Sequence, residues 1–343
     1  MISVSKIAII DIGSNSCRMV IYEQSGGALI PYFNEKAMAG LGRDLAETGR
    51  LSPAGKELAL QTFHRFRAIT ASLNITDVRA VATAAVREAI DGDEFKDVAE
   101  RILGVEIQVL TGADEGRLSA VGVKAGFINP KGLVADLGGT SMELLPLSAD
   151  TTGETFLLGP LARSMDTELS PEKRAKAMRK ILGSSDLIED HLGEKLYAVG
   201  GAWRNVAAVH MMLCNYPLKV AHGYTLSRTD VRNVIDAADL AKSDKLTREQ
   251  LQGVSKRRFD TLLHAAILLD TLMHRLETDK AVISSFGLRD GVAADTLDVD
   301  GANGLLDAIP LSDPYILLQT IARSSGDRVV QGLLNVSLVI SST

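Results

Sequence analysis

Ile7-Ala8-Ile9-Ile10-Asp11-Ile12-Gly13-Ser14-Asn15-Ser16 decides the reading of this chain, because a stretch 125 positions further on repeats its plan: Leu133-Val134-Ala135-Asp136-Leu137-Gly138-Gly139-Thr140-Ser141. In each, an apolar run reads as a buried strand with an acidic residue at its mouth. Glycine then lets the backbone turn tightly, so that N–H groups can face an anion. Each turn leads into another strand-like stretch, Arg18-Met19-Val20-Ile21-Tyr22 and Glu143-Leu144-Leu145. Both devices are therefore β-hairpins, which argues against a Walker loop, where a helix must follow the turn.

With 343 residues the chain exceeds one ordinary core and suits two domains, and 46% hydrophobic content with mixed charge marks a globular protein. A formal charge of −6 opposes a broad electrostatic footprint for nucleic acid, so no specific nucleic-acid partner is expected and any anion site must be built locally. No apolar run approaches the roughly 18 residues of a membrane span, and the N-terminus enters a strand without a signal-like region, so the expectation is a cytoplasmic protein without membrane contact. Cys17 and Cys214 stand at no metal-like spacing and suit a reducing compartment. The six histidines form no ligand pattern, and His264 and His274 read as structural residues of one long helix.

Beyond the first hairpin, Ala59, Phe63, Phe66, Ile69 and Leu73 recur at helical spacing behind Pro53 and predict an amphipathic helix over 53–73. A strand at 78–82, a helical stretch to about Leu103, a strand at 105–110 and a helix from Asp114 to about Phe127 follow, the alternation of an α/β layered domain. The Asn129-Pro130-Lys131-Gly132 turn is the best domain boundary. The second half repeats the order, with a third strand near 154–158, a helix around 171–191, a strand at 196–199, helices near 202–213, 228–241 and 255–276, and a strand at 281–284. The expected division is 1–128, 129–300 and a tail at 301–343 that breaks the rhythm.

Duplicated Asp-x-Gly hairpins, one opening each α/β half, resemble the actin, sugar-kinase and Hsp70 superfamily. Within it the chain resembles the Ppx/GppA phosphatases: exopolyphosphatases and guanosine pentaphosphate phosphohydrolases. Seven stretches carry the resemblance in order: Asp11 to Arg18, Leu41-Gly-Arg-Asp-Leu with Thr48 to Ser52, Ala82 to Ala89, Thr111-Gly-Ala-Asp-Glu115-Gly-Arg-Leu, Asp136 to Glu143, Gly200-Gly-Ala-Trp-Arg-Asn, and Ser284 to Gly291. The implied fold is α/β, two ribonuclease H-like (actin-like ATPase) lobes with a phosphate-binding cleft between them. Two positions depart from the family pattern, since Thr140 stands where a third glycine is usual and Met142 where a threonine is. The sequence contains no His-Asp dipeptide and resembles the short family form without an HD-type helical region. A homodimer is the family-based expectation for assembly.

The resemblance implies an Mg²⁺-dependent hydrolase that removes terminal orthophosphate from polyphosphate, from guanosine pentaphosphate, or from both. Such chemistry needs neutralised phosphate oxygens, a bridging metal and a base that orients water. Backbone N–H groups of Gly13, Ser14, Asn15, Gly138, Gly139 and Thr140, with the hydroxyls of Ser14, Ser16 and Ser141, can cradle phosphates from two sides. Asp11 and Asp136 at strand ends, with Glu143 returning along the second hairpin, are the metal candidates. Glu115 matches the family glutamate regarded as the base, although composition alone would make it an ordinary first-turn acid. Asp114 either shares that role or supports the turn. Arg18 and Arg87 are the cationic candidates for phosphate, and Arg204 a support for a loop beside the substrate. Two alternatives stand beside this reading. One is an ATP-dependent kinase of the same superfamily, with adenine near Gly200-Gly201 unless the Trp203 indole crowds it; the other is a non-catalytic sensor of phosphate chains.

Overall fold

The computed structural model describes residues 6–25, 28–148, 153–162, 169–255 and 259–297. The tail expected at 301–343 therefore lies outside the described residues. The first half runs β1 (Lys6–Ile12), β2 (Cys17–Ser25), β3 (Ala28–Ala37), α1 (Leu45–Thr48), α2 (Pro53–Ser72), β4 (Asp77–Ala82), α3 (Ala84–Glu88), α4 (Gly92–Leu103), β5 (Ile107–Val109) and α5 (Gly112–Gly126). Next come β6 (Leu133–Leu137), β7 (Met142–Pro146), β8 (Glu154–Phe156), α6 (Pro171–Leu182), α7 (Asp186–Asp190), β9 (Leu196–Val199) and α8 (Gly201–Leu213). The described part closes with β10 (Thr225–Ser227), α9 (Arg228–Leu240), α10 (Lys245–Ser255), α11 (Phe259–Arg275), β11 (Lys280–Ser284) and α12 (Leu288–Leu297).

The strands form two sheets, in the orders β3-β2-β1-β4-β5 and β8-β7-β6-β9-β11-β10. Their centres are equivalent. β1 pairs antiparallel with β2 and parallel with β4, just as β6 pairs antiparallel with β7 and parallel with β9. The second sheet adds β10, antiparallel to β11. The two-lobed α/β architecture expected from the duplicated hairpins is thus the observed one.

The expected elements need adjusting in places. The helix read over 171–191 is two helices, because Gly183 ends α6 and the Ser185 hydroxyl caps α7 by accepting from the Ile188 N–H at 3.1 Å. The strands β3 and β10 and the helices α1, α10 and α12 went unread. In β3, Pro31 weakens the strand signal and is accommodated because β3 lies at the sheet edge, where its pairing with β2 shifts register.

Successive strand side chains point to opposite faces, and this sorts the core into layers. Ala8, Ile10 and Ile12 of β1 pack with Phe63, Phe66 and Phe95 of α2 and α4. Ile7 and Ile9, on the other face, pack with Val292, Ala293 and Ala294 of α12 and Leu118 of α5. In the second lobe, Leu133, Ala135 and Leu137 of β6 face α6, α8, α9 and α11, while Val134 faces Ala120 and Val123 of α5. The two middle helices thus sit between the sheets, each against the sheet built by the other half of the chain: α5 on β6 and β7, α12 on β1. They approach so closely that a Cβ on Gly291 would lie 1.7 Å from the Leu118 carbonyl oxygen, which leaves glycine as the residue the crossing accepts.

Candidate active site

The same alternation aims the functional side chains. Asp11 shares the face of Ile7 and Ile9, and Asp136 shares the face of Val134, so both carboxylates point inward between the sheets. Arg18 lies opposite Asp11 in the hairpin register and Glu143 opposite Asp136. These four side chains face one cleft of about 370 Å³, a size suited to a small ligand.

The turns between the strands are built alike. The Gly13 N–H donates to the Ser16 carbonyl at 3.1 Å, and the Gly138 N–H to the Ser141 carbonyl at 2.9 Å. The carbonyls of Ser14 and Asn15 are held from outside by the N–H groups of Gly42 and Gly40, at 2.8 and 3.0 Å. Those of Gly139 and Thr140 are held in the same manner by Leu161 and Gly159, at 2.8 and 3.0 Å. With their carbonyls fixed in this way, the N–H groups of Ser14, Asn15, Gly139 and Thr140 have no hydrogen-bond partner among the described residues. The turns also abut, since a Cβ on Gly139 would lie 3.0 Å from the Ser14 Cβ.

Glu115 enters from α5. Thr111 and Asp114 form a reciprocal capping box at its start, the Asp114 N–H donating to the Thr111 hydroxyl at 3.1 Å and the Thr111 N–H to the Asp114 carboxylate at 3.2 Å. Asp114 therefore supports the turn. Glu115, one residue on, lines the cleft, and an Arg87 N–H donates to its carboxylate at 2.6 Å and to the Leu110 carbonyl at 2.6 Å. Burial pushes the Glu115 carboxyl up to about 7, against the pull of Arg87 and with help from Asp136 and Asp11. Burial and then the Glu115 charge push Glu143 well above the usual carboxylate range. Asp136 is also raised, by burial, against the pull of the Ser119 hydroxyl that donates to it.

Of the residues singled out in the sequence, Asp11, Gly13, Ser14, Asn15, Ser16, Arg18, Glu115, Asp136, Gly138, Gly139, Thr140, Ser141 and Glu143 all line this cleft. Arg87 does not line it and is engaged with Glu115. Arg204 lines it and donates to the Ser285 carbonyl at 3.5 Å. Thr140 is buried, its hydroxyl without a partner among the described residues. The Trp203 indole points away into the second lobe's core, where its N–H donates to the Ala265 carbonyl at 2.9 Å, so it does not crowd the glycines at 200 and 201. His264 donates its Nε2–H to the Leu158 carbonyl at 2.8 Å in the core, a structural role.

Sequence reasoning missed Arg289. Its guanidinium donates to Asp11 at 2.5 Å, tying α12 to the first turn. Neighbouring Asp290 accepts from the Tyr22 hydroxyl at 2.8 Å and from the Gly287 N–H at 2.9 Å. Burial, together with the nearby Arg289 charge, lowers Arg18 to about 10. The signal was the charged pair inside the run Phe286-Gly287-Leu288-Arg289-Asp290-Gly291, too polar for an ordinary strand-to-helix connection. Lys36, Asp260 and Thr261 also line the cleft and went unread.

Among the described residues no three His, Cys, Asp or Glu side chains converge as a ready-made metal cage, and no helix is long and apolar enough to cross a membrane.

Comparison with known proteins agrees with this geometry. The chain is 25% identical over 338 residues to exopolyphosphatase 1 of Mycobacterium tuberculosis, covering 94% of this chain and 96% of that one. It is 26% identical over 294 residues to the guanosine-5'-triphosphate,3'-diphosphate pyrophosphatase of Aeromonas hydrophila, covering 83% of this chain and 58% of that longer one. Among solved structures, the Ppx/GppA family member of Aquifex aeolicus superimposes with a TM-score of 0.71 at 25% identity, covering 86% of this chain and 98% of that one. An exopolyphosphatase from Cytophaga hutchinsonii has the same fold, with a TM-score of 0.76 at 21% identity and the same coverage. The Ppx/GppA phosphatase family matches residues 20–299, and the chain, with its paired turns and the Glu115 helix between its sheets, belongs to that family.

Proposed function

We propose that this protein is a phosphoanhydride hydrolase that releases terminal orthophosphate from polyphosphate, from guanosine pentaphosphate, or from both. The observation that carries the reading is the pair of facing turns with unbonded N–H groups beside a glutamate whose carboxyl titrates near neutrality. Unbonded N–H groups bind phosphate oxygens, and a carboxylate with a pKa near the working pH accepts a proton from water effectively.

In this mechanism the turns and Arg18 hold the phosphate chain, and water attacks the terminal phosphorus in line with the bridging oxygen. As the new P–O bond forms, the water proton passes to Glu115. The bridging bond breaks, and its electron pair leaves with the shortened chain. Arg87 is a positioning residue here, holding Glu115 rather than the substrate. No cysteine or histidine lines the cleft among the described residues to serve as a covalent nucleophile.

A divalent cation fits the site on the chemistry of its donors. Asp136 and Glu143 offer only oxygen, and both bind protons unusually tightly because they are buried among other acids. Mg²⁺ takes one or two carboxylates and keeps several waters, so a closed cage is not required. Asp136 and Glu143 would hold it, with Asp11 reaching it through water while paired to Arg289. Bound there, the cation would neutralise phosphate oxygens. We further assign the lobes to about 1–128 and 129–300, with α5 and α12 as their shared seam, and the protein to the cytoplasm, which suits its free Cys17 and Cys214.

The deciding experiment is orthophosphate release from long polyphosphate, tripolyphosphate, guanosine pentaphosphate and ATP, with and without Mg²⁺. Release from either of the first two substrates or from guanosine pentaphosphate, dependent on Mg²⁺, is expected. Acceptor-dependent ADP formation in its place would sink the hydrolase reading in favour of a kinase.

A further inference from the structure

We infer that the exposed face of α6 is a second anchoring site for a polyphosphate chain, holding the part that extends beyond the cleft. The inference rests on the polyphosphate reading above. Lys173, Lys176, Arg179 and Lys180 are all exposed, and none of them takes part in an ion pair among the described residues. Elsewhere on this surface cations are commonly paired, as Lys56 with Asp91, Arg65 with Glu35, Lys96 with Glu100, and Arg228 and Arg232 with Asp270.

Helix stability accounts for only part of this charge: Arg179 and Lys180 in the last turn suit the helix dipole, and the exposed Glu172 stands four residues before Lys176, but the rest works against the helix. Lys173 stands in the first turn, where the helix dipole disfavours a cation. Lys173 and Lys176, Lys176 and Arg179, and Lys176 and Lys180 are like-charged neighbours three or four residues apart, an arrangement that weakens a helix. A helix that keeps four unpaired cations on one side, in a chain of net charge −6, presents a surface complementary to a polyanion.

The position of α6 connects this surface to the cleft. Thr261, at the start of α11, lines the cleft, as do Pro160 and Leu161, which follow the Leu158 bonded to His264. The helix α6 packs against α11, and Arg174 near its start acts electrostatically on His264, which sets the start of α6 beside that end of α11. Beyond the other end of α6, Glu189 of α7 pairs with Arg275 at the last residue of α11, at 2.8 Å. The helix α6 therefore runs alongside α11 in the same direction, starting near the mouth of the cleft and leading away from it. From Lys173 to Lys180 the cations span roughly 10 Å at 1.5 Å per residue, a track for several phosphates.

The test compares KM for long-chain polyphosphate with KM for tripolyphosphate in the full chain. Replacing Lys173, Lys176, Arg179 and Lys180 together by glutamine should raise the long-chain KM about tenfold and flatten its salt dependence, while the tripolyphosphate KM moves by less than about twofold. A matched variant with Arg50, Lys131, Lys195 and Lys219 changed to glutamine, equal in net charge, should leave both values in place. If the four-site α6 variant fails to fold, the pair Lys176→Gln and Lys180→Gln should still raise the long-chain KM about threefold. An unchanged long-chain KM, an equal rise for tripolyphosphate, or an equal effect of the matched variant overturns the inference while the hydrolase reading stands. Absence of orthophosphate release from both polyphosphates by the unaltered protein overturns the inference, and absence of release from guanosine pentaphosphate as well overturns the hydrolase reading with it.

Discussion

Gly13 closes on Ser16 and Gly138 on Ser141 with nearly the same bond, and the carbonyls between are held from outside in the same order. Yet the residue facing the aspartate across the hairpin is Arg18 in one lobe and Glu143 in the other. The first turn is accordingly rich in cations, with Asp11 paired to Arg289 and Arg18 alongside. The second gathers acids, Asp136 and a buried Glu143 that Glu115 crowds. One backbone thus serves two electrostatic ends. In the proposed mechanism the first turn receives phosphate directly, whereas the second repels it until a cation intervenes. A chain lying across both turns meets that polarity at every turnover, and the tests below attack it.

Glu115→Gln should have the largest effect. It removes the proton acceptor that stands outside both turns, and kcat should fall by about 10² to 10⁴ with the thermal midpoint retained. Orthophosphate release at the unaltered rate would take Glu115 out of the base role and return the chemistry to the turns themselves.

Replacing the two aspartates by asparagine separates the ends. Asp136→Asn should lower kcat about 10²-fold and weaken the Mg²⁺ dependence, with little change in stability. Asp11→Asn should instead destabilise the fold by about 1 to 3 kcal/mol, because it leaves the Arg289 guanidinium without its charged partner, side-chain exposure there being 17%. Equal effects of the two substitutions on Mg²⁺ titrations and on melting would erase the proposed difference.

Glu143 supplies a pH test. Its raised pKa, and that of Glu115 at about 7 against the ordinary 4.5, mean that the folded chain binds more protons than the unfolded one between those values. Stability without divalent cations should therefore be greatest below about pH 4.5 as far as these groups are concerned, and fall as pH rises through 7. Glu143→Gln should flatten this slope and stabilise the protein at pH 8 by about 1 kcal/mol while lowering activity. Melting curves across pH check the sign: stability rising over that range would show that the acids are not crowded. Activity should climb through about pH 7 as Glu115 loses its proton.

Thr140→Gly, which makes the second turn a run of three glycines, carries the smallest expected effect. It deletes a buried hydroxyl without a partner and adds backbone freedom, two opposed contributions that should cancel to within about 1 kcal/mol. KM should change by less than about fivefold. A larger rise would reveal the hydroxyl as a phosphate ligand and deepen the contrast with Asn15, its counterpart.

The apolar runs and glycine turns made the hairpins legible, with Asp11 and Asp136 at the strand ends, whereas the shared inward aim of Arg18 and Glu143 followed only from the observed register. Glu115 was legible only through the family resemblance. An acid one place after Asp114 in a first turn is what any capped helix would show, and only the fold brings it beside Asp136. For Arg289 the sequence held only the polarity of the Arg289-Asp290 pair; its bond to Asp11 was beyond reading, since the two lie 278 residues apart. The same holds for the engagement of Arg87 with Glu115, which spans 28 residues and two elements. Local signals failed where composition was ambiguous, as at Pro31 in β3, and where Gly183 divided a continuous helical pattern.

The exchange of α5 and α12 between the sheets also governs the order of events at the ribosome. Ile7, Ile9, Val20 and Val81 are all made early, but the Val292, Ala293 and Ala294 that shield them emerge more than two hundred residues later. At bacterial synthesis rates the first sheet waits on the order of ten seconds or more with one apolar face uncovered. Nascent chains stalled before Leu288 should bind an apolar dye or a chaperone, and those stalled well past Leu297 should not. A newborn chain of this design is a client of the folding machinery before it can be an enzyme.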